Sequence, residues 1–294
     1  FSEALCDTEV ARSRGLAAQD TVRVVIDALY SEVGTEGTVI TVRRLHWLSI
    51  TQLGFDPKVT FRSLKALPRH VKGYWTLRGK YEGPVEFTPC LQDWFKQAGE
   101  TESDYFWQDL IVARMIFEEK PRKHVDVGSR IDGFIAHLAA FREVEVFDIR
   151  PLAVPIPGVT FRQVDLMAPG ADFSGLEGYC DSLSCLHALE HFGLGRYGDA
   201  IDPDGFERGF ANMARMLSDG GTFYLSVPIG INRIEFNAHR VSDPRLIVDM
   251  AERNGLLLSS LTTVKDGREV KRATRDDLAD LARARYVLGV FVLV

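Results

Sequence analysis

The sequence predicts an α/β protein: a doubly wound, mostly parallel sheet of seven strands with helices on both faces, an antiparallel edge strand and an N-terminal appendage. Three observations carry that reading. From residue 124 onward, short apolar runs alternate with helix-length segments, as in parallel strands joined by crossover helices. The run KHVDVGSRIDGF, residues 123–134, takes an apolar strand through a polar glycine turn into a helix. About 20 residues beyond Gly128 a second strand, VEVFDI, ends in an acid, Asp148, the spacing of a nucleotide-binding βαβ unit.

Each element has a local signature. Residues 18–31 space Val22, Val25, Ile26 and Leu29 as a packing helix. Residues 103–119 read as a helix opened by Ser103 or Asp104 and stopped before Pro121. That helix is apolar nearly all round, so it should be buried, with Tyr105, Phe106 and Trp107 in the core rather than on a cofactor, although a helix just before the first strand could also close over the site. Strands follow at 124–128, 144–149, 159–166 and 180–189. A helix then opens with Asp202 as N-cap and Pro203 in its first turn, and Gly220-Gly221 stops it. Strand 221–229, a helix from Pro244 to Asn254, and strands 256–264 and 285–294 complete the sheet. The charged stretch 265–284 reads as an insertion between the last two strands, which together suggest the antiparallel edge.

Composition bounds the function. With 294 residues, 46% hydrophobic and 26% charged, the chain can bury a sizeable core. A net charge of −6 argues against wholesale nucleic-acid binding. Four scattered cysteines without a C-x-x-C pair suit reduced thiols and a cytoplasmic location. No run approaches the ~20 apolar residues of a transmembrane helix. Nothing at the start reads as a secretory signal; the chain opens on Phe1 rather than methionine, which leaves a missing upstream segment as an open reading. Residues 43–80 are unlike the rest: nine lysines and arginines against one acid, Asp56, with Trp47, Phe55, Phe61, Tyr74 and Trp75 interleaved. Such a segment suits an anionic partner, whether a phosphorylated sugar, a lipid-linked glycan or a membrane surface met peripherally. A solvated face with its aromatics turned inward explains it as well. The division expected is 1–102 as an appendage, serving as substrate-binding or lid region, and 103–294 as the main domain.

The glycine turn decides which nucleotide fits. Dinucleotide folds use G-x-G-x-x-G so that a pyrophosphate can rest on bare amides. Here the turn reads G-S-R-I-D-G, and Asp132 would face that anion with negative charge. S-adenosylmethionine has no phosphate, and its ammonium and carboxylate suit an acid (Asp126 or Asp132) and a cation (Arg130). Gly128, Ser129 and Gly133 complete the turn, and Asp148 can hold two ribose hydroxyls. Ligands bind beyond the carboxyl ends of the strands, where three of the seven histidines collect: His187 and His191, beside Glu190, and His239, beside Arg240. A neutral imidazole there could take the proton of a substrate hydroxyl as it attacks a methyl group. Two histidines and a carboxylate could also hold a metal, although the spacing is no strong signature, and no metal is assigned. Backbone-bonding roles better explain His46, His70, His124 and His137.

The phrases DVGS, the terminal acid of the second strand, VDL, ALEHF and GGTFYLSVP resemble a class I S-adenosylmethionine-dependent methyltransferase over about residues 103–294. More closely, QDLIVARMIF, HVDVGSRIDGF, FDIRPL and SCLHALEHFGLGRYGD look like a little-characterised methyltransferase-like family seen among bacterial surface-polysaccharide genes. The resemblance implies a Rossmann-like methyltransferase fold. By position it implies Asp126, Gly128 and Ser129 on the methionine side, Asp148 on the ribose and Ile149 beside the adenine. It also implies Asp165 and Leu166 at the adenine edge, with Leu189, Glu190 and His191 near the transferred methyl. One departure is plain: the family's D/E-x-G-x-G-x-G has lost its second and third glycines in register. The function implied is O-methylation of a sugar hydroxyl on a surface glycan or its precursor, with an anionic or lipid-linked acceptor. Two alternatives stand beside it: a non-catalytic methyltransferase-like scaffold in polysaccharide assembly, and a nicotinamide-dependent sugar oxidoreductase or epimerase.

Overall fold

The computed structural model describes residues 49–50, 54–99, 101–167 and 175–294. The helix expected at 18–31, His46, Trp47 and the start of the basic segment lie outside the described residues. The chain divides into two compact units, 1–98 and 99–294. In the first, helix α1 (Pro57–Arg78) opens on Asp56, whose carboxylate accepts from the backbone of Lys58 and Val59, with Pro57 at the first helical position.

The second unit is built on an eight-stranded sheet. Its strands are β1 (His124–Val127), β2 (Val144–Asp148), β3 (Val159–Gln163), β4 (Cys180–Leu186), β5 (Leu217–Ile229), β8 (Leu258–Lys265), β9 (Glu269–Ala273) and β10 (Val287–Leu293). A separate hairpin pairs β6 (Arg233–Glu235) with β7 (His239–Val241). The sheet order is β3-β2-β1-β4-β5-β10-β8-β9. Strands β1 to β5 run parallel, whereas β10 is antiparallel to both β5 and β8, and β9 closes the edge antiparallel to β8. The doubly wound, mostly parallel sheet with an antiparallel edge is therefore present, with eight strands rather than seven. The added strand lies in the stretch read as a charged insertion. Its Glu269, Lys271 and Arg272 are exposed on the outermost strand, where charge discourages pairing with other chains and hides the strand from a hydrophobicity reading.

Helices cover both faces. On one side, α2 (Asp104–Glu119) and α3 (Ala136–Ala139) pack Val112, Ile116 and Leu138 against Val144, Val146, Leu288 and Val290. On the other, α4 (Gly205–Met216) and α5 (Pro244–Arg253) pack Phe210, Met213, Ile247 and Ala251 against Val125, Leu183, Phe223 and Phe291. A short α6 (Leu278–Leu281) adds Leu278 to that layer. Helix α2 begins as expected, with the Ser103 hydroxyl accepting from Phe106 N at 3.1 Å. It is buried along one face only: Leu110 and Phe117 stay exposed, and so do Tyr105 and Phe106. Helix α4 starts two residues later than its apparent cap. Asp204 is the N-cap, and the Asp202 carboxylate instead accepts from Asp204 N at 2.9 Å and from Arg208 at 2.5 Å. Among the described residues no helix is long and apolar enough to cross a membrane.

The loop between β4 and α4 folds back on itself at Gly193. Its φ of +74° is costly for any residue with a Cβ, and a Cβ there would sit 2.0 Å from the Asp202 carbonyl oxygen. Gly193→Ala should therefore destabilise the fold by about 3 kcal/mol or more in denaturant unfolding. Gly255→Ala, at φ +78° with open space around it, should cost only about 1–2 kcal/mol. Equal losses would contradict the packing of this loop.

Candidate active site

The turn after β1 is set by a buried carboxylate. Asp126 is fully buried; one oxygen accepts Ser129 N at 3.0 Å, and the other accepts the Ser129 hydroxyl at 2.6 Å and the Ser184 hydroxyl. The Ser129 oxygen in turn accepts Leu186 N at 3.1 Å, which ties the β1 turn to the end of β4. The Ser184 O–H donates to Asp126, so the Ser184 oxygen accepts from His124 Nε2–H at 3.0 Å, while His124 Nδ1 accepts the Ser182 hydroxyl at 2.7 Å. Burial holds His124 neutral, with its pKa lowered to about 3. Burial also pushes Asp126 up to about 7, against the pull of the bonds from Ser129 and Ser184. Asp126 and Ser129 do not line the cavity described below; their hydrogen bonds support the turn that does.

Past this turn lies a cavity of about 310 Å³ at the carboxyl ends of β1, β2 and β4, the switch point of the sheet. Gly128, at φ +72°, forms part of its wall, and a Cβ there would come within 2.8 Å of Ala188 Cβ. Arg130 also lines it, forked onto the exposed Asp132 at 3.0 and 2.7 Å. Asp132 and Gly133 stand outside, in a π-helical turn, Ile131–Ile135, that leads into α3. Glycine at 133 leaves room for Asp109, whose Oδ2 would lie 2.7 Å from a Cβ.

One half of the cavity is apolar and acid-edged. Phe147, Ile149, Val164, Leu166 and Met167 surround Asp148 and Asp165. Asp165 accepts Met167 N at 2.8 Å. Asp148, the last residue of β2, is gripped by Arg150: its Oδ1 accepts the Arg150 backbone N–H at 2.8 Å and Nε at 2.9 Å, and its Oδ2 accepts Nη2 at 2.5 Å. The Arg150 guanidinium also lies 4.6 Å from the centre of the Tyr197 ring.

The other half is imidazole-rich. At the end of β4, His187 adopts φ +51°, a left-handed conformation that His tolerates better than most residues. Its N–H donates to both the carbonyl (3.0 Å) and the hydroxyl (3.1 Å) of Ser226, which donates to Gln108 at 2.5 Å. His187 Nδ1 lies 2.6 Å from Glu190 Oε1, and its Nε2 is buried without a partner. Tyr105 covers the ring at 4.8 Å between centroids. Burial would raise the Glu190 carboxyl, but the His187 charge and hydrogen bond, with His191, hold it below its ordinary range. Burial lowers His191, and the Arg196 charge adds to this against the opposing pull of Glu190. Arg196 donates to His191 Nδ1 at 3.3 Å, so the His191 proton sits on Nε2, 3.7 Å from Glu190 Oε1.

The structure thus gathers Gly128, Arg130, Asp148, Ile149, Asp165, Leu166, His187 and His191 around one cavity, with Glu190 directly behind His187. His239 and Arg240, on β7, do not line the cavity, although His239 is close enough to His187 and Glu190 to feel their charge. His239 Nε2 is 3.9 Å from Glu235, and the buried Arg240 donates to the carbonyls of Glu190 and Phe192, holding the loop rather than facing the cavity. Tyr105 is cavity wall, as the alternative of a helix closing over the site expects, and the lining also includes Arg150, Arg196 and Tyr197, which the sequence reading does not assign to the site. A signal for Arg150 existed: a cation two residues after a strand-terminal acid. Of the histidines given structural roles, His124 and His137 bond Ser182, Ser184 and the Gly133 carbonyl, and His70 packs on Phe87. Among the described residues, no three His, Cys, Asp or Glu side chains converge as a metal set.

One family profile, described as "Caenorhabditis protein of unknown function, DUF268", matches residues 162–255. Comparison with curated proteins returns no match. Among solved structures, the chain is similar to the 1,6-didemethyltoxoflavin-N1-methyltransferase of Burkholderia thailandensis, crystallised with 1,6-didemethyltoxoflavin and S-adenosylhomocysteine. Identity is 14%, over 81% of this chain and 90% of that one, with a TM-score of 0.45. It is also similar to the [4+2]-cyclase SpnF, at 10% identity over 67% and 85% of the two chains with a TM-score of 0.44. An S-adenosylmethionine-dependent methyltransferase of Clostridium acetobutylicum matches at 12% identity over 65% and 92%, with a TM-score of 0.42. At that level of similarity neither activity nor ligand transfers to this chain.

The raised pKa of Asp126 fixes a sign. Its folded value of about 7 lies above the ordinary 3.8, so its contribution to stability is full below pH 3.8 and is lost as pH rises toward 7. Asp126→Asn lacks that titration and keeps His124. The stability of the parent relative to the variant should therefore fall as pH rises from 4 to 7, by up to about 1.4 kcal/mol per pH unit. Thermal melts across that range would contradict the assignment if the difference grew with pH.

Proposed function

We propose that the chain is an S-adenosylmethionine-dependent O-methyltransferase acting in the cytoplasm on a sugar hydroxyl of a surface glycan or its precursor. The observation that carries the proposal is one cavity lined both by Asp148, a strand-terminal acid among apolar side chains at the end of β2, and by His187 at the end of β4, oriented by the buried Glu190 and with an unpartnered Nε2. The residues present fit the cofactor. Gly128 leaves room that a Cβ would fill, Asp148 can take ribose hydroxyls, and Phe147, Ile149 and Leu166 can face an adenine. Arg130 can release the exposed Asp132, an ion pair worth ~0–1 kcal/mol, to meet a carboxylate. Asp132 near the start of the following helical turn disfavours a pyrophosphate, and with it the nicotinamide alternative.

The cofactor would supply an electrophilic methyl group. This chain's residues do the rest. His187 takes the acceptor hydroxyl's proton on Nε2 while Glu190 holds Nδ1–H and stabilises the imidazolium that forms. Tyr105 and Phe192 line the cavity beside it. Residues 1–102 serve acceptor binding in this reading. The Arg150 grip on Asp148 favours the second reading, a scaffold whose nucleotide site is closed.

The test is transfer of labelled methyl from S-adenosylmethionine to extracted glycans and nucleotide sugars by the parent and by His187→Gln. The variant should lose about 10²–10⁴-fold in kcat and keep its affinity for S-adenosylhomocysteine. Unchanged turnover in the variant would remove His187 as base, and no transfer by a folded parent to any acceptor would favour the scaffold.

A further inference from the structure

Helix α1 carries six Lys and Arg residues and no acid in a chain whose net charge is −6. None of its residues is buried. At 100° per residue its positions sort into three strips. Ser63, His70 and Tyr74 face the return segment 85–95: Gln92 Nε2 donates to the Val59 carbonyl at 2.8 Å and lies beside the Ser63 hydroxyl, Tyr74 donates to the Val85 carbonyl at 3.4 Å, and Phe87 packs edge-on against His70 and Tyr74. A second strip is apolar and faces outward: Phe61 (69% exposed), Leu64 (65%), Pro68, Val71 (37%) and Trp75 (64%), spaced i, i+3, i+7, i+10 and i+14. Alongside it run Lys58, Lys65 and Lys72, one line at seven-residue intervals and all exposed. Arg62 and Arg69, on the far side of that line, lie over the rings of Phe95 (5.9 Å) and Trp94 (2.8 Å).

We propose that α1 is an interfacial helix that binds the surface of an anionic lipid bilayer, laying Phe61, Leu64, Val71 and Trp75 among the acyl chains while Lys58, Lys65 and Lys72 meet the headgroups. An apolar stripe bordered by lysines, on a helix too polar to span, is what the interface between headgroups and hydrocarbon selects. Charge decides among the occupants. Two copies of this helix would bring twelve cations and no acid to one interface, whereas an anionic leaflet neutralises them. The inference does not depend on the methyltransferase reading.

The test is cosedimentation of the full chain with phosphatidylcholine vesicles, with and without phosphatidylserine, while tryptophan emission is followed. Binding should require phosphatidylserine, be reversed by raised salt and shift the emission to the blue. Lys58→Gln/Lys65→Gln/Lys72→Gln should weaken partitioning on the order of a hundredfold, at ~1 kcal/mol per surface cation. Leu64→Ser/Trp75→Ser should weaken it as well and remove most of the blue shift. All five side chains are exposed, so melting temperatures should not move; if a variant unfolds, the parent's lipid and salt dependence still decides. The inference is overturned if the parent stays in the supernatant with anionic vesicles, or binds pure phosphatidylcholine equally well. It is also overturned if the parent binds RNA but no vesicle, or self-associates in a way that Leu64→Ser/Trp75→Ser disperses.

Discussion

The site depends on one buried carboxylate. Asp126 collects a backbone N–H and two hydroxyls, and Ser129 passes that hold on to Leu186 at the end of β4. Two loops from strands 58 residues apart in sequence, at Asp126 and Ser184, are thereby fixed to each other across the switch point of the sheet. A carboxylate with no water around it is costly unless its lone pairs are met. Here they are met by the side chains that set the spacing between Gly128 and His187. The cavity between those residues follows from that spacing.

Both residues sit in left-handed backbone at strand ends, and each has its own support. Gly128 lacks the Cβ that would strike Ala188. His187 is held through its backbone by Ser226, and Ser226 by Gln108 of α2. Helix α2, which precedes the first strand, therefore does more than cover the sheet: it braces the imidazole from behind with Gln108 and covers it with Tyr105. Arg240 performs a similar service for the loop carrying Glu190 and His191, by donating to its carbonyls. The cavity wall comes from strand ends, loops and Tyr105 of α2, and residues that do not line it, Gln108, Ser226 and Arg240, hold those loops in place.

The fold was legible because the short strands alternate with helix-length segments, and glycine and proline mark many of their ends. Strand β9 was not legible, since an exposed edge strand made of Glu269, Lys271 and Arg272 has the composition of a loop. Much of the site could be read from strand ends: Asp148, Asp165, His187 and His191 all reach the cavity. Asp126 lies in the expected turn, but the sequence does not reveal that Ser184 turns its hydroxyl toward the carboxylate. Tyr105 poses a related problem. A helix that looks apolar all round still has one edge facing a cavity, and periodicity cannot say which.

The contact that most sharply divides the readings is Arg150 on Asp148, since a ribose would have to take those carboxylate oxygens from the guanidinium. The decisive measurement is calorimetric titration with S-adenosylhomocysteine of the parent, Arg150→Ala and Asp148→Ala. The account predicts micromolar-range binding by the parent, about −8 kcal/mol, tighter binding once Arg150 is removed, and loss of binding once Asp148 is removed. A folded parent and Arg150→Ala variant that both release no heat, or an Asp148→Ala variant that binds as well as the parent, would contradict it.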